Sequence, residues 1–496
     1  MFGFLDQEDG VAVRHQDGTL TYTEFSQLVR LLAAHLQEIG LEPGDRVAAI
    51  LPNSLELLVS YYAAFLNGLV FVPINERLTE REVRAIVGHC GPRCLITPPG
   101  LAAQYGDLED EGSLTVLALD RVHSWVGDAA HELPVPASPD WARDHPAVLF
   151  YTSGSTGAPK GVLYTHGTLI DNARVYGRGL GMTRDDHSVL CHCMASNFVF
   201  AQLTVPLLDM GGTVEIVDFG SVEQTLDAVD GRATFLSLIP WFGFQLIEAA
   251  RDRMMTPNRV RHSAVGGDRV PLSYFESFRE AFGVIPSEHL GMTETNVYVC
   301  NPLVEGDLRL GSVGTALPEV DLEIRDPTGR AQPVHTEGEI WVRTPAAMDR
   351  YWQDPEKTRE VMSAGWVATG DAGHLDEDGY LWYSGRLKQI IISDGDNIHP
   401  REVEHEIVRH ERVKQACVVG LPDETRGEVV AAAVLLEDCS DALSAEELAE
   451  ELAVFLRDRL TDVKIPQRLV VLERFPQTTN GKLDRRAIVE SLMEGM

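Results

Sequence analysis

Residues 151–161 read Tyr-Thr-Ser-Gly-Ser-Thr-Gly-Ala-Pro-Lys-Gly, and the apolar run Ala147-Val148-Leu149-Phe150 leads straight into them as a strand would. This stretch restricts the chain to folds that present a glycine- and hydroxyl-rich loop at a strand end. Gly154 and Gly157 allow positive φ and close backbone approach. Successive N–H groups in such a turn form a nest for anions. Thr152, Ser153, Ser155 and Thr156 add hydroxyls, and Lys160 adds a positive charge. The loop reads as a phosphate cradle, but not as a Walker A loop. That motif needs Gly-Lys-Ser/Thr in succession, whereas here Pro159 precedes Lys160 and Gly161 follows it. The alternative, a solvated Ser/Gly linker, sits badly with the strand that enters it.

The rest of the chain makes that cradle more pointed. Acidic residues number 75 against 42 basic ones, so the net charge is 42 − 75 = −33. A charge of that size repels nucleic acid and anionic membranes, and neither is an expected partner. A polyanionic ligand must therefore be met by locally placed donors. No apolar run approaches the roughly 20 residues of a membrane span, so integral membrane association is not expected. The first residues carry Asp6 and Glu8 and lack a basic segment followed by an apolar one, so no signal peptide is read there. Seven cysteines without framework spacing suggest reduced thiols and a cytoplasmic location. Cys191 and Cys193 flank His192, but no partner pair follows at zinc spacing, so they read as buried strand residues.

Helix and strand alternate through the first hundred residues. Thr21 with Glu24 forms a capping box, Phe25, Leu28, Leu32 and Ile39 repeat at helical spacing, and Gly40 stops the helix. Apolar strands are expected at Val47–Leu51 and Val70–Pro73, with a helix from Ser54 between them. After residue 161 the pattern returns, with strands at Thr213–Val217, Thr234–Leu238 and Arg261–Val265. Strands that are apolar throughout and alternate with helices argue for parallel sheets flanked by helices. From about residue 305 shorter strands and turns suggest a smaller β subdomain. Past 390 the chain reads as a small α+β unit, with one helix capped by Ser444 and Glu447 and striped by Leu448, Leu452, Phe455 and Leu460. The expected division is a large domain over 1–386, a hinge at 387–389 and a small domain over 390–496.

Four further segments carry chemistry. Gly291-Met292-Thr293-Glu294 joins a tight turn to a hydroxyl and a carboxylate. Thr369-Gly370-Asp371 places a carboxylate that can accept from both ribose hydroxyls. Gly385-Arg386 sets a guanidinium beside a glycine. Thr478-Thr479-Asn480-Gly481-Lys482 puts a lysine on a turn. Each is weak alone. Together and in this order, with Gly44-Asp45-Arg46-Val47, Asn53, Tyr351-Trp352 and Ile398-His399-Pro400-Arg401-Glu402, they resemble the adenylate-forming superfamily. Its members include acyl- and aryl-CoA synthetases, peptide-synthetase adenylation domains and firefly-type luciferases. The resemblance covers nearly the whole chain and is strongest to a free-standing acyl- or aryl-CoA synthetase.

The resemblance implies an ATP- and Mg²⁺-dependent ligase. A small-molecule carboxylic acid attacks the α phosphate of ATP, giving acyl-AMP and pyrophosphate, and a thiol, usually of coenzyme A, then expels AMP. By the same resemblance the 152–157 loop with Lys160 cradles the β and γ phosphates. Thr293 binds the α phosphate, Glu294 holds Mg²⁺, and Gly266 and Gly267 line the adenine. Asp371 and Arg386 hold the ribose, and Lys482 supplies the cation of the first step. Lys388 is the hinge about which the small domain rotates between steps. Ser196, Asn197, Phe198 and Gly291 line the acid pocket.

Two departures stand out. Leu290 replaces the family's usual Tyr beside adenine. Asp394 stands where many CoA ligases have a glycine beside the thiol tunnel, which makes steric narrowing an expectation there. Asn197 stands where α-amino-acid activating domains usually carry Asp, and aryl-acid activating members often have Asn, so an acid without an α-ammonium is expected. A role in satisfying local backbone is the alternative for Asn197. Alternatives for the whole chain are loading of a carrier protein's phosphopantetheine in trans, a non-catalytic ATP-binding relative, and luciferase-like oxidation.

Overall fold

The strand Val70–Ile74 is buried at every position, which only a strand flanked on both edges and covered on both faces achieves. In the computed structural model it lies inside a seven-stranded sheet. From one edge the order is Arg350–Tyr351, Pro159–Thr165, Pro146–Ser153, Val70–Ile74, Arg46–Ile50, Cys94–Thr97 and Thr115–Ala118. The structure describes residues 10–110, 114–122, 141–153, 159–255, 259–267, 270–302, 307–423, 425–437, 444–479 and 482–494. Val47 sits between Phe71 and Cys94, and the pairing is parallel from Pro146–Ser153 to Thr115–Ala118. Pro146–Ser153 then folds back on Pro159–Thr165 as an antiparallel hairpin that sets Thr152 opposite Lys160.

A second sheet of nine strands has the same plan. It is parallel through Val11–His15, Thr213–Ile216, His187–Leu190, Phe235–Leu238, His262–Gly266 and Ser287–Met292. Antiparallel strands close it at both ends: Gly18–Thr21 at one, Asn296–Cys300 and Thr315–Ala316 at the other. The expectation of parallel sheets thus holds for the interiors, and both sheets are mixed. A short connection can join only antiparallel neighbours, because a parallel pair needs a long crossover.

Helices bury their apolar stripes on these sheets. Glu80–Cys90 packs Val83, Ile86 and Val87 against Ala48, Val72 and Leu95. Pro240–Asp252 and Leu272–Phe282 pack Phe242, Leu246, Phe275 and Phe278 against Leu236 and Val265. Each such side chain contributes about 1.5–3 kcal/mol on full burial. The Thr21–Glu24 capping box forms as expected, and Gly40 follows the helix Tyr22–Glu38 at φ +83°.

The chain divides into two compact units. One comprises 1–308, 315–321 and 342–367, and the other 309–314, 322–341 and 368–496. In the second, Trp366–Leu375 pairs antiparallel with Leu381–Arg386, and a one-turn helix Leu387–Gln389 leads on to Ile391–Ser393. The long hairpin of Val413–Asp423 and Gly427–Leu436 then forms two cores. Pro400–Ile407 and Ala445–Arg457 contribute to one, and Arg485–Glu494 to the other. The Ser444–Glu447 capping box is present. The helix buries Leu448, Leu452 and Leu456; Phe455 packs half-buried beside them, and Leu460 joins the core from beyond the helix end.

Candidate active site

Two glycines of the nine-stranded sheet are closely approached by neighbouring backbone. A side chain at Gly266 would meet the His289 carbonyl at 2.3 Å, and one at Gly291 would meet the Asn296 carbonyl at 2.5 Å. Gly267 turns at φ +79°. The pairing slips between Leu290 and Gly291, and Asn296 takes φ +59° where the chain returns. This bulged hairpin raises Thr293 and Glu294 on its turn, both half-buried. Tyr164 Oη donates to the Thr293 carbonyl. Tyr351 Oη donates to Glu294 Oε1 at 2.7 Å, and the Met348 N–H donates to the Glu294 carbonyl at 2.8 Å.

Glu294 is tied in turn to the phosphate-type hairpin. The short strand Arg350–Tyr351 pairs with Val162 and Leu163, and the Trp352 N–H donates to the Gly161 carbonyl at 2.8 Å. Lys160 Nζ lies 6.0 Å from the centroid of the Tyr351 ring, within reach of a cation–π attraction. Thr152 is half-buried at the hairpin end. Gly154, Ser155, Thr156 and Gly157 lie outside the described residues, as does the side chain of Ser153. Burial and the nearby Glu294 charge push the Tyr351 phenol far above its ordinary range, so it stays a donor.

In the segment expected to line the acid pocket Ser196 caps a short helical turn, its Oγ donating to the Cys193 carbonyl at 2.6 Å. Asn197 is 5% exposed. Its Nδ2 donates to Asn296 Oδ1 at 3.1 Å, and its own Oδ1 is buried with no hydrogen-bond partner among the described residues. Asn296 passes the contact on, donating to the Ala346 carbonyl at 2.8 Å. Phe198 packs half-buried on the core beneath. The expected burial of Cys191 and Cys193 holds. Burial pushes their thiols up to about 12 and about 11 and the His192 imidazole down to about 3.

The other candidate residues belong to the second unit. Asp371 is 2% exposed and sits opposite Arg386 across the strand pair. Its Oδ1 meets Arg386 Nε at 3.0 Å and accepts from Tyr383 Oη at 3.1 Å. Arg386 also donates to the Thr369 carbonyl at 3.1 Å. Lys388 is exposed on the one-turn helix. Lys482 is exposed and anchored by its backbone: its N–H donates to Thr478 Oγ1 at 3.2 Å, and its carbonyl accepts from the Thr478 N–H at 2.8 Å. Asn480 and Gly481 lie outside the described residues. Asp394 holds φ +52°, the region that favours glycine, and its carboxylate lies 3.4 Å from Arg426 Nε. A backbone in that region is one that glycine adopts without strain.

Among the described residues no cluster of three or more His, Cys, Asp and Glu is placed to hold a metal. Glu294 offers one hard carboxylate oxygen, Oε2, that makes no hydrogen bond among the described residues. Magnesium carried mainly by nucleotide phosphates asks for one or two such carboxylates, so the residues fit it. Sequence reasoning gave no role to Tyr351, Tyr164, Asn296 or Tyr383. Two signals were available: Tyr351 stands in the Tyr351-Trp352 motif, and Asn296 is a buried asparagine at the head of the apolar strand Asn296–Cys300.

Residues 5–352 match the model of the AMP-binding enzyme family, and 402–482 match that of the AMP-binding enzyme C-terminal domain. The chain belongs to the AMP-binding enzyme family. It is 34% identical to a feruloyl-CoA synthase of Amycolatopsis sp. over 475 residues, covering 95% of this chain and 94% of that one. It is 32% identical to an indoleacetate–CoA ligase of Aromatoleum aromaticum, over 95% and 93% of the two chains. Among solved structures it resembles ATP-bound MatB from Rhodopseudomonas palustris, at TM-score 0.90 and 28% identity over 99% and 98% of the chains. It also resembles the amide bond synthetase McbA from Marinactinospora thermotolerans, at TM-score 0.88 and 29% identity over 98% of each. The expected superfamily and fold class therefore stand, and the family activates acids with ATP to acyl-AMP. No helix among the described residues is long and apolar enough to cross a membrane.

Proposed function

We propose that this enzyme activates an aryl carboxylic acid with ATP and transfers the acyl group to the thiol of coenzyme A. The observation that carries the reading is the tie between the phosphate-type hairpin and the Glu294 carboxylate through the strand Arg350–Tyr351. A family cradle and an acidic residue held by one short strand suit a nucleotide triphosphate and its cation.

In the first step the substrate carboxylate oxygen bonds to the α phosphorus, and the bond to the bridging oxygen of pyrophosphate breaks. Charge gathers on the α phosphate oxygens, so donors fixed there lower the barrier. Thr293 and Lys482 take that role, and Lys160 with the hairpin hydroxyls holds the leaving pyrophosphate. Asp371 and Arg386 hold the ribose, and Gly266 and Gly267 let the adenine approach the backbone. Glu294 would hold Mg²⁺, which when bound would supply positive charge against the phosphates. In the second step a thiol attacks the acyl carbon and AMP leaves with the electron pair. Lys388 is the hinge of the rotation that moves Lys482 away between the steps.

The aryl reading rests on Asn197, which cannot pair an α-ammonium as a carboxylate would, and on the aryl acids named for the feruloyl and indoleacetate relatives. Likeness to an amide bond synthetase keeps an amine acceptor in the test. Pyrophosphate release is measured with aryl, linear and polycyclic acids, and acyl transfer then with coenzyme A, a phosphopantetheinylated carrier and simple amines. The reading expects aryl acids to lead and coenzyme A to accept. Release with linear acids alone, or transfer only to a carrier or an amine, would displace it.

A further inference from the structure

Tyr351 belongs to a strand of two residues, yet it is held from several sides. Its N–H donates to Thr358 Oγ1 at 3.1 Å, its backbone pairs with Val162, and the side chain is 6% exposed. If the ring served only as packing, phenylalanine would do as well. The hydroxyl instead ends 2.7 Å from Glu294 Oε1, and the ring lies beneath Lys160. A carboxylate on a turn rotates freely about its last bond unless one oxygen is fixed.

We propose that Tyr351 is a positioning residue for Glu294: its hydroxyl holds Oε1 and thereby presents Oε2 as the oxygen that takes the metal of the metal–nucleotide complex. The inference rests on the reading of Glu294 as the metal carboxylate. Groups that orient a metal ligand typically change metal affinity by 10–100-fold when removed. In this role Tyr351 acts through Glu294, which separates it from a catalytic residue. Its ring also couples the carboxylate to Lys160, so one side chain sets the spacing of the two charged groups that face the nucleotide.

The test is Tyr351→Phe, which keeps the ring and removes the donor. Water-proton relaxation measures the Mn²⁺ concentration that half-saturates the enzyme with α,β-methylene-ATP, whose bridge cannot be cleaved. The expected result is about a tenfold weaker Mn²⁺ affinity, at the lower end of that range, and a matching rise in the Mg²⁺ needed for half-maximal pyrophosphate release. The KM for the acid should stay within about twofold, because uniform binding is untouched. Glu294→Gln and the double variant are measured alongside. The double variant should bind Mn²⁺ no more weakly than Glu294→Gln alone, since the hydroxyl then has no metal carboxylate to orient. If Glu294→Gln weakens Mn²⁺ but Tyr351→Phe does not, the positioning role is overturned while the metal reading stands. If Glu294→Gln leaves Mn²⁺ affinity unchanged, both fail. A Tyr351→Phe enzyme that loses rate at every metal concentration, with unchanged Mn²⁺ affinity, shows a purely structural role and also overturns the proposal.

Discussion

Asp371 and Arg386 face each other across an antiparallel strand pair, and carboxylate and guanidinium meet at 3.0 Å while the aspartate is 2% exposed. The arginine is 41% exposed, so solvent screens part of the attraction. Its loss would take from the buried carboxylate the guanidinium that meets Oδ1, while the Tyr383 hydroxyl remains. Arg386→Ala should lower stability by roughly 1–3 kcal/mol, the cost of an under-satisfied buried group, and raise the KM for ATP more than that for the acid. Arg386→Lys should restore charge but not the fork that reaches both Asp371 and Thr369. Denaturant melts with the two KM values check this. Equal rises for ATP and acid would remove Arg386 from the nucleotide site.

Glu337 accepts from Ser384 Oγ and lies 2.7 Å from His399 Nε2, all within the second unit. The hydrogen bond with His399 comes first among the causes that hold its carboxyl below the usual carboxylate range, working against burial. A carboxyl depressed in the folded state adds stability above its unfolded value of about 4.3, and that gain fades as pH falls through the folded value. Glu337→Gln should therefore be less stable than the parent at pH 6, and the gap should close below about pH 4. Melts from pH 3 to 7 measure it, and a gap that stays constant with pH would show that the charge contributes nothing.

The legible parts of this fold were those written in neighbouring residues. Thr21 with Glu24 and Ser444 with Glu447 announced their helices because a capping box is complete within four positions. Val70–Pro73 announced a strand because burial on both faces leaves an unbroken apolar run. The antiparallel hairpins that close both sheets were not legible, because their register depends on turn geometry that no periodicity encodes. Among the candidate site residues, Asp371 and Arg386 were each given a nucleotide role from the sequence. Tyr351 was not, since 57 positions separate it from Glu294 and only the pairing with Val162 and Leu163 brings them together. Asn296 was hidden in the same way: its φ of +59° and its contact with Asn197 arise from a bulge.

Asp394 combines a left-handed backbone with an ion pair to Arg426, both partners being well exposed. A non-glycine residue in that conformation costs roughly 1 kcal/mol, less for aspartate, and an exposed pair returns about 0–1 kcal/mol. Asp394→Gly should leave stability within about 0.5 kcal/mol, because the two effects offset each other. With the carboxylate turned to Arg426, the KM for coenzyme A should change by less than about twofold. Separate kinetics for pyrophosphate release and thioester formation test this. A fall in KM of tenfold or more would instead bear out the expectation that the side chain narrows the thiol's path.

The proposed aryl preference rests on Asn197. Its Nδ2 is engaged by Asn296, while its Oδ1 is buried and unpartnered among the described residues. An unsatisfied buried carbonyl costs about 1–3 kcal/mol, a cost that an acid bearing an O–H or N–H donor would recover on binding. Asn197→Leu removes both functions. It strands Asn296 Oδ1, so stability should fall by about 1–3 kcal/mol. It also removes the acceptor, so kcat/KM for hydroxylated or amino-substituted aryl acids should fall about 2–10-fold further than for their unsubstituted parents, the worth of one neutral hydrogen bond. The two effects separate cleanly, because lost stability lowers all substrates alike at a fixed fraction of folded enzyme, whereas a lost acceptor changes their order. Rates normalised to folded enzyme across paired acids decide the matter. If the order stays as in the parent while stability falls, Asn197 serves the Asn296 turn alone, and the pocket reads its acid through other groups.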